Sequence, residues 1–254
     1  MQQPASRDLA FQLNNVSLVF GDTPNAPGLH GISLEAAPGE FVVLVGRSGS
    51  GKTTILNLLS GLLTAQSGTV RILDKSPVQA RPQLGFMFAR DALMPWRTAR
   101  GNVELSLEIL GRPRGECRLE ATRMLERVGL GHALNRLPFQ LSQGMRQRVA
   151  LARTWVRNPR MLLMDEPFSA LDAQTRREAQ AAFLEVWAGS GASVVLVTHD
   201  LTEALMLADR VVLLANGVVV RDVEVPFKRH GDLDGIAVSP EFRVLERELW
   251  ELLK

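Results

Sequence analysis

Four runs of apolar residues punctuate the chain with no polar residue alternating among them: FVVLVG at 41–46, RMLLMDE at 160–166, SVVLVTH at 193–199 and RVVLLANG at 210–217. A strand with one wet face alternates apolar and polar positions; uninterrupted runs of this length read as strands buried on both faces. Strands of that kind belong to a parallel sheet covered by helices on each side, and helical stretches lie between these runs. The first segment has a different pattern. FQLNNVSLVFGD followed by LHGISLEAAPGE reads as antiparallel strands joined by a Gly/Pro-rich loop. From about 90 to 158 the strand signal stops, and RLEATRMLERVGL at 118–130 places apolar residues at helical spacing and ends on Gly129. That middle third is expected to be a helical subdomain inserted into the sheet domain. In the tail, Ser239 is placed as a helix cap and Pro240 in the first turn, with Phe242, Leu245, Leu249 and Leu252 on one face for packing on the chain's own domain. The expected organisation is one domain over 1–254: a core from about 1–88 and 159–230, the helical subdomain at about 89–158, and a helical tail at 231–254.

Composition narrows the partners. With 254 residues, 46% of them hydrophobic, the chain can bury one large α/β core. Its formal net charge of +2 excludes recognition of nucleic acid by bulk charge. A single cysteine, Cys117, cannot form an internal bridge and fits a reducing compartment as an incidental thiol. The N-terminal MQQPASRDLAF lacks the basic and apolar blocks of a secretory signal, and no apolar run is long enough to cross a bilayer. The expected location is cytoplasmic, with any membrane contact made through another chain.

Two segments look built for phosphate. Residues 46–54, GRSGSGKTT, follow a strand-like run and precede the helical ILNLLSGLL. That is the P-loop context. Gly46, Ser48, Gly49, Ser50 and Gly51 let backbone N–H groups curl round phosphate, Lys52 reaches the β and γ groups, Thr53 offers a hydroxyl to Mg²⁺, and Thr54 continues the turn. Almost a hundred residues later, LSQGMRQRVALAR at 141–153 places Ser142 and a glycine ahead of an arginine-rich helix, the composition of a second anion-holding helix start. Between and beyond them, MLLMDEP ends a buried strand on two carboxylates. Asp165 is placed to act on Mg²⁺ and Glu166 to polarise an attacking water. His199 closes SVVLVTH at a strand's carboxyl end and is a candidate for contacting the γ-phosphate. The second grip makes sense if it serves the nucleotide of another copy of the chain.

With these elements in order, the sequence resembles the ATP-binding cassette family. Five elements agree in type and order: the P-loop at 46–53, LSQGM at 141–145, MLLMDEP at 161–167, SALD at 169–172 and VTH at 197–199. The resemblance implies an α/β P-loop NTPase with a mostly parallel core sheet, an N-terminal antiparallel β subdomain and an inserted helical subdomain. It implies ATP and Mg²⁺ as ligands and Phe20 as the aromatic on which adenine stacks. It also implies that Ser142, Gln143 and Gly144 meet the partner's ATP in a head-to-tail dimer, with Asp172 of SALD beside them. FMFARDALMPWRTARGNVELSL at 86–107, MRQRVALAR and the C-terminal VPFKRH resemble the ATPases of bacterial importers for nitrate, sulfonates and taurine. Two membrane-spanning permease subunits and, indirectly, an extracytoplasmic substrate-binding protein follow as partners, and the cytoplasmic face of the inner membrane as the location. Pro95, Trp96 and Arg97 then lie near the surface that receives the permease, or Trp96 fills the helical subdomain. The chain departs from the family at two places. Ala89 stands where a glutamine is usual and supplies neither a carbonyl ligand nor a hydrogen bond, and Gln83 on the far side of LGFMF is a poor substitute. Gln143 replaces the commoner glycine. A nucleotide-gated protein with weak hydrolysis and a soluble ABC ATPase outside transport are the alternative readings.

Overall fold

All five residues of Phe41–Val45 are fully buried, as the uninterrupted apolar run requires, and this strand organises the first of two units. The computed structural model describes residues 8–21, 27–227, 237 and 239–253. The chain divides into a first unit, Met1–Pro82 with Ser193–Lys254, and a second, Gln83–Ala192.

The first unit opens with β1 (Phe11–Val19), β2 (Gly28–Ala36), β3 (Phe41–Val45), α1 (Lys52–Leu59), β4 (Ser67–Ile72) and α2 (Pro77–Ala80). In the second unit follow β5 (Leu84–Met87), α3 (Ala99–Glu108), α4 (Arg114–Arg127), α5 (Gln143–Trp155), β6 (Met161–Asp165) and α6 (Ala173–Trp187). The chain returns to the first unit with β7 (Ser193–Thr198), α7 (Leu201–Leu207), β8 (Arg210–Ala215), β9 (Val218–Glu224) and α8 (Pro240–Leu252).

Within the first unit β3 pairs in parallel with β7 on one side and β8 on the other, and β9 closes that edge antiparallel to β8. Helix α1 buries Ile55, Leu56, Leu58 and Leu59, and α7 buries Leu201, Ala204, Leu205 and Leu207, so helices cover the apolar strands. Each fully buried aliphatic of this kind contributes about 1.5–3 kcal/mol relative to exposure. A separate antiparallel sheet has β1 at its centre, between β2 and β4. The β1–β2 hairpin matches the expectation; β4 gives no strand signal in the sequence, because SGTVRI keeps most of its side chains in solvent. The same is true of β9, whose residues are all exposed or half-buried.

In the second unit β5 and β6 pair in parallel, and four helices accompany them. Phe183 of α6 is fully buried between Trp155 of α5, edge-on at 5.9 Å, and Phe168 at 6.3 Å. Helix α4 starts earlier than the periodicity at 118–130 suggests, just after Pro113, and ends before Gly129, whose φ of 74° is the left-handed stop a glycine allows. The tail helix α8 begins as expected, with Ser239 accepting the Phe242 N–H at 3.2 Å and Pro240 at its first position. Phe242 and Leu249 are buried and Leu245 half-buried, but Leu252, placed on the same face from the sequence, is exposed in the final turn. Residues 231–236, 238 and 254 of the expected tail lie outside the described residues.

Candidate nucleotide site

In the first unit the turn from β3 to α1 is shaped by two constraints that only glycine meets. A Cβ on Gly46 would stand 2.2 Å from the Leu214 carbonyl oxygen and 2.6 Å from Ser50 Oγ, so strand β8 fixes this position as backbone only. Gly49 and Gly51 have φ of 82° and 102°, the left-handed region that a side chain resists. Arg47, Ser48 and Gly49 form the exposed crest of the loop while Ser50 is buried beneath it. Helix α1 starts at Lys52 with no side-chain cap and no acidic residue in its first turn. The starts of α3, α5, α6, α7 and α8 are each capped, by Thr98, Ser142, Asp172, Asp200 and Ser239. An uncapped helix start under an exposed glycine loop suits an anion that accepts from its N–H groups.

The Lys52 side chain is only 6% exposed. Its ammonium donates to the carbonyls of Gly46 at 2.7 Å and Arg47 at 2.9 Å and to Ser50 Oγ at 3.5 Å, which holds a positive charge under the crest of the loop. Thr53 is exposed and Thr54 half-buried on the first turn of α1. Phe20, just past β1, is half exposed, and its N–H donates to the Pro27 carbonyl at 2.8 Å, which leaves the ring at the surface for stacking.

His199 is exposed directly after β7. The turn that carries it is tied twice: the Asp200 N–H donates to Thr198 Oγ1 at 3.0 Å, and the Asp200 carboxylate accepts the Glu203 N–H at 3.0 Å to cap α7. His199 also lines an open groove of about 670 Å³ with Arg243 and Arg247 of α8.

In the second unit β6 delivers its two carboxylates from an entirely apolar strand. Met161–Met164 are fully buried, and Asp165 and Glu166 emerge half-buried at the end. Glu166 has φ of 46°. A residue other than glycine in that region costs roughly 1–2 kcal/mol, which the surroundings must offset. Two successive carbonyls are held: that of Glu166 accepts from the Ser169 N–H at 3.3 Å and Ser169 Oγ at 3.0 Å, and the next, of Pro167, accepts from the buried amide of Gln147. Asp172 is exposed at the cap of α6 and accepts the Thr175 N–H at 3.1 Å. Hydrogen bonds from Thr175, through its hydroxyl and its backbone, hold the Asp172 carboxyl below the usual carboxylate range.

The second grip is a capped helix start. Ser142 Oγ accepts the Met145 N–H at 3.3 Å, Ser142 and Gln143 are exposed, and Gly144 is buried. A Cβ on Gly144 would lie 2.1 Å from Thr175 Cγ2, so the glycine lets α5 approach α6. The arginines that follow, read from sequence as part of an anion grip, are engaged within the unit. Arg146 pairs with Asp91 at 2.9 Å, Arg148 donates to the Val128 carbonyl at 3.3 Å, and Arg153 donates to the Asp91 and Ala92 carbonyls at 2.7 Å. Burial pulls the Arg153 guanidinium down from its usual range against the opposing pull of Asp91. The clamps from Arg146 and Arg153 brace the segment after β5 that carries Ala89, a role the sequence did not reveal. Ala89 is half-buried there, while Gln83, at the other end of β5, accepts the Arg160 N–H on its carbonyl at 2.9 Å. Trp96 is 74% exposed, which rules out the core-filling reading; Pro95 beside it is exposed, and Arg97 pairs with Glu108 at 2.9 Å.

Comparison with known proteins identifies the family. The family model for the ABC transporter domain matches residues 29–169. The taurine import ATP-binding protein of Chromobacterium violaceum is 44% identical over 229 residues, 88% of each chain, and that of Yersinia pestis bv. Antiqua is 43% identical over 204 residues, 80% of each. An aliphatic sulfonates import ATP-binding protein of Pseudomonas syringae pv. syringae is 44% identical over 229 residues, 90% of this chain and 78% of that one. Among solved structures, a dimeric ATP-binding cassette in a post-hydrolysis state with ADP and Pi matches with a TM-score of 0.76 at 32% identity, over 86% of this chain and 100% of that one. With the family model over more than half of its length and relatives of this identity over most of it, the chain belongs to the ABC transporter family as one of its ATPase cassettes.

Proposed function

We propose that this chain is the ATP-hydrolysing subunit of a bacterial importer for a small compound of the nitrate, sulfonate or taurine type. The observation that carries the reading is the 40–44% identity, over most of the chain, to proteins named as taurine and aliphatic sulfonate import ATP-binding proteins. No helix among the described residues is long and apolar enough to cross a membrane, and in this reading two membrane-spanning permease subunits supply the passage. The cassette works at the cytoplasmic face of the inner membrane as a head-to-tail homodimer, with an extracytoplasmic binding protein presenting the compound. It acts as one ATPase domain, 89–158 forming its helical subdomain and 231–254 its tail. The exposed Trp96, with Pro95 and Arg97, belongs to the surface that receives the permease.

The roles follow from the chemistry of each position. The glycine-shaped loop 46–51, Lys52 and the start of α1 hold the phosphates, Thr54 supports that turn, and Phe20 stacks on adenine. The Thr53 hydroxyl and the Asp165 carboxylate are hard oxygen donors that suit Mg²⁺, an ion that takes few protein ligands and fills its shell with phosphate and water oxygens. Bound there, it supplies charge neutralisation at the β and γ oxygens. Glu166 orients and deprotonates the attacking water, and His199 donates to the γ-phosphate. Ser142, Gln143 and Gly144, with Asp172 beside them, close on the partner's nucleotide.

The test is dimerisation. Glu166→Gln, incubated with MgATP, runs as a dimer in size-exclusion chromatography and as a monomer without nucleotide; a monomer in both conditions overturns the shared-site reading. Ala89 favours one second reading, a nucleotide switch with slow turnover, because a methyl group cannot sense the γ-phosphate. Turnover of the purified chain separates the two.

A further inference from the structure

We infer that Gln147 is a positioning residue for Glu166, through which the helix that grips the partner's nucleotide also aims its own chain's carboxylate; the inference rests on the dimeric ATPase reading above. Gln147 is on α5, one turn beyond Gly144, and is only 5% exposed. Its side-chain amide donates to the carbonyl of Pro167, which immediately follows Glu166. A proline has no N–H to anchor the turn, so its carbonyl is the group by which the second unit can hold this point of the chain. On the other side Ser169 bonds the Glu166 carbonyl through both its N–H and its hydroxyl. Glu166, with φ of 46°, carries the first of these two fixed carbonyls and directly precedes the residue that carries the second. Left-handed backbone at a residue other than glycine persists only where its surroundings over-determine it, and the bonds from Gln147 and Ser169 supply that constraint.

The same helix meets the next turn as well. Gly144 packs directly against the Thr175 methyl of α6, and the Thr175 N–H donates to the Asp172 carboxylate. The first two turns of α5 therefore touch both the Glu166–Pro167 turn and the Asp172 cap. A helix this short moves as a rigid rod, and Ser142 is separated from Gln147 by only about 7.5 Å of helical rise. A displacement of the signature by the partner's ATP is delivered through Gln147 to the Pro167 carbonyl, and so to the direction of the Glu166 carboxylate. Each nucleotide in the dimer thereby gates hydrolysis of the other, with Gln147 as the link inside each chain. The neighbouring side chains of α5 do other work, since Arg146 goes to Asp91 and Arg148 to Val128.

The test is a double-mutant cycle on the full chain with MgATP turnover as the readout. Gln147→Met keeps length and apolar packing but removes the donor. Its expected effect is a fall in kcat of about tenfold or more with KM for ATP within about twofold, because the bond lost is made in neither Lys52 nor the phosphate loop. In a Glu166→Gln background the same substitution leaves the residual turnover within about twofold, since a residue acting through Glu166 has nothing further to remove. Ser169→Ala, at an exposed position, gives a smaller fall of about threefold that likewise vanishes in the Glu166→Gln background, and if Gln147→Met does not fold, Gln147→Leu, which also lacks the donor, takes its place in the cycle. Full kcat in the folded single variants, or an equal loss in both backgrounds, overturns the inference and leaves the ATPase reading standing. Full turnover by Glu166→Gln alone overturns the ATPase role of Glu166 and this inference with it.

Discussion

Replacing Gly144 with alanine places a methyl carbon 2.1 Å from Thr175 Cγ2. Carbon atoms pack at about 3.5–4.0 Å, so α5 and α6 must separate by well over an ångström or Thr175 must leave its rotamer. Overpacking of this kind costs about 1–3 kcal/mol. Alanine's better helix propensity returns about 0.8–1.0 kcal/mol, so the single variant is destabilised by only about 0–2 kcal/mol and its melting temperature alone discriminates poorly. The interaction is read from the second substitution. Thr175→Ser removes the offending methyl, keeps the hydroxyl and leaves the N–H that donates to Asp172. In Gly144→Ala/Thr175→Ser the clash is gone and the propensity gain remains, which gives a coupling of about 1–3 kcal/mol between the sites. For a chain of this size that is about 2–12 °C of melting temperature, measurable by calorimetry or by circular dichroism with all four proteins at one pH. A coupling under about 0.5 kcal/mol refutes the close approach of the signature helix to α6.

Phe183→Ala should lose about 3–5 kcal/mol in urea unfolding, because the ring is fully buried against Trp155 and Phe168; a loss under about 1 kcal/mol contradicts that packing. Asp222 offers a pH test. Burial pushes its carboxyl above the usual range, although Arg210, paired with it at 2.9 Å, opposes the shift. A carboxyl raised by folding favours the native state most below its unfolded value, near 3.9, and that contribution fades as pH rises through the native value. The melting temperature of Asp222→Asn relative to the parent should therefore climb between pH 4 and pH 7, and a fall over that interval contradicts the direction. Lys52→Met removes the buried ammonium from which the Gly46 and Arg47 carbonyls accept, so the melting temperature without nucleotide should fall, and binding of a fluorescent ATP analogue by the folded variant should weaken by at least about tenfold; unchanged affinity removes Lys52 from the site.

The central strands were legible because burial on both faces favours apolar side chains on both, so Phe41–Val45 and the 194–197 stretch of β7 run without an interrupting polar residue. Strands β4 and β9 were not legible for the converse reason: their side chains face solvent, and their place comes from backbone pairing with β1 and β8. Leu252 follows its helical spacing but is left exposed in the last turn of α8. The same division holds at the site. The phosphate loop is contiguous and its glycines are demanded locally, so one short stretch from Gly46 to Thr54 announces it. The bond from Gln147 to Pro167 spans 20 positions, and the approach of Gly144 to Thr175 depends on how two helices cross; neither leaves a mark in sequence spacing. The arginines of α5 were legible as charge, but their partners, Asp91 and backbone carbonyls, were not.

The most direct measurement is the MgATP hydrolysis rate of the purified chain beside that of Glu166→Gln. The account predicts steady release of phosphate by the parent chain and a loss of at least about a hundredfold in the variant, the scale of a removed general base. Equal rates in the two proteins, or no hydrolysis by a parent chain that is folded and binds ATP, would contradict it.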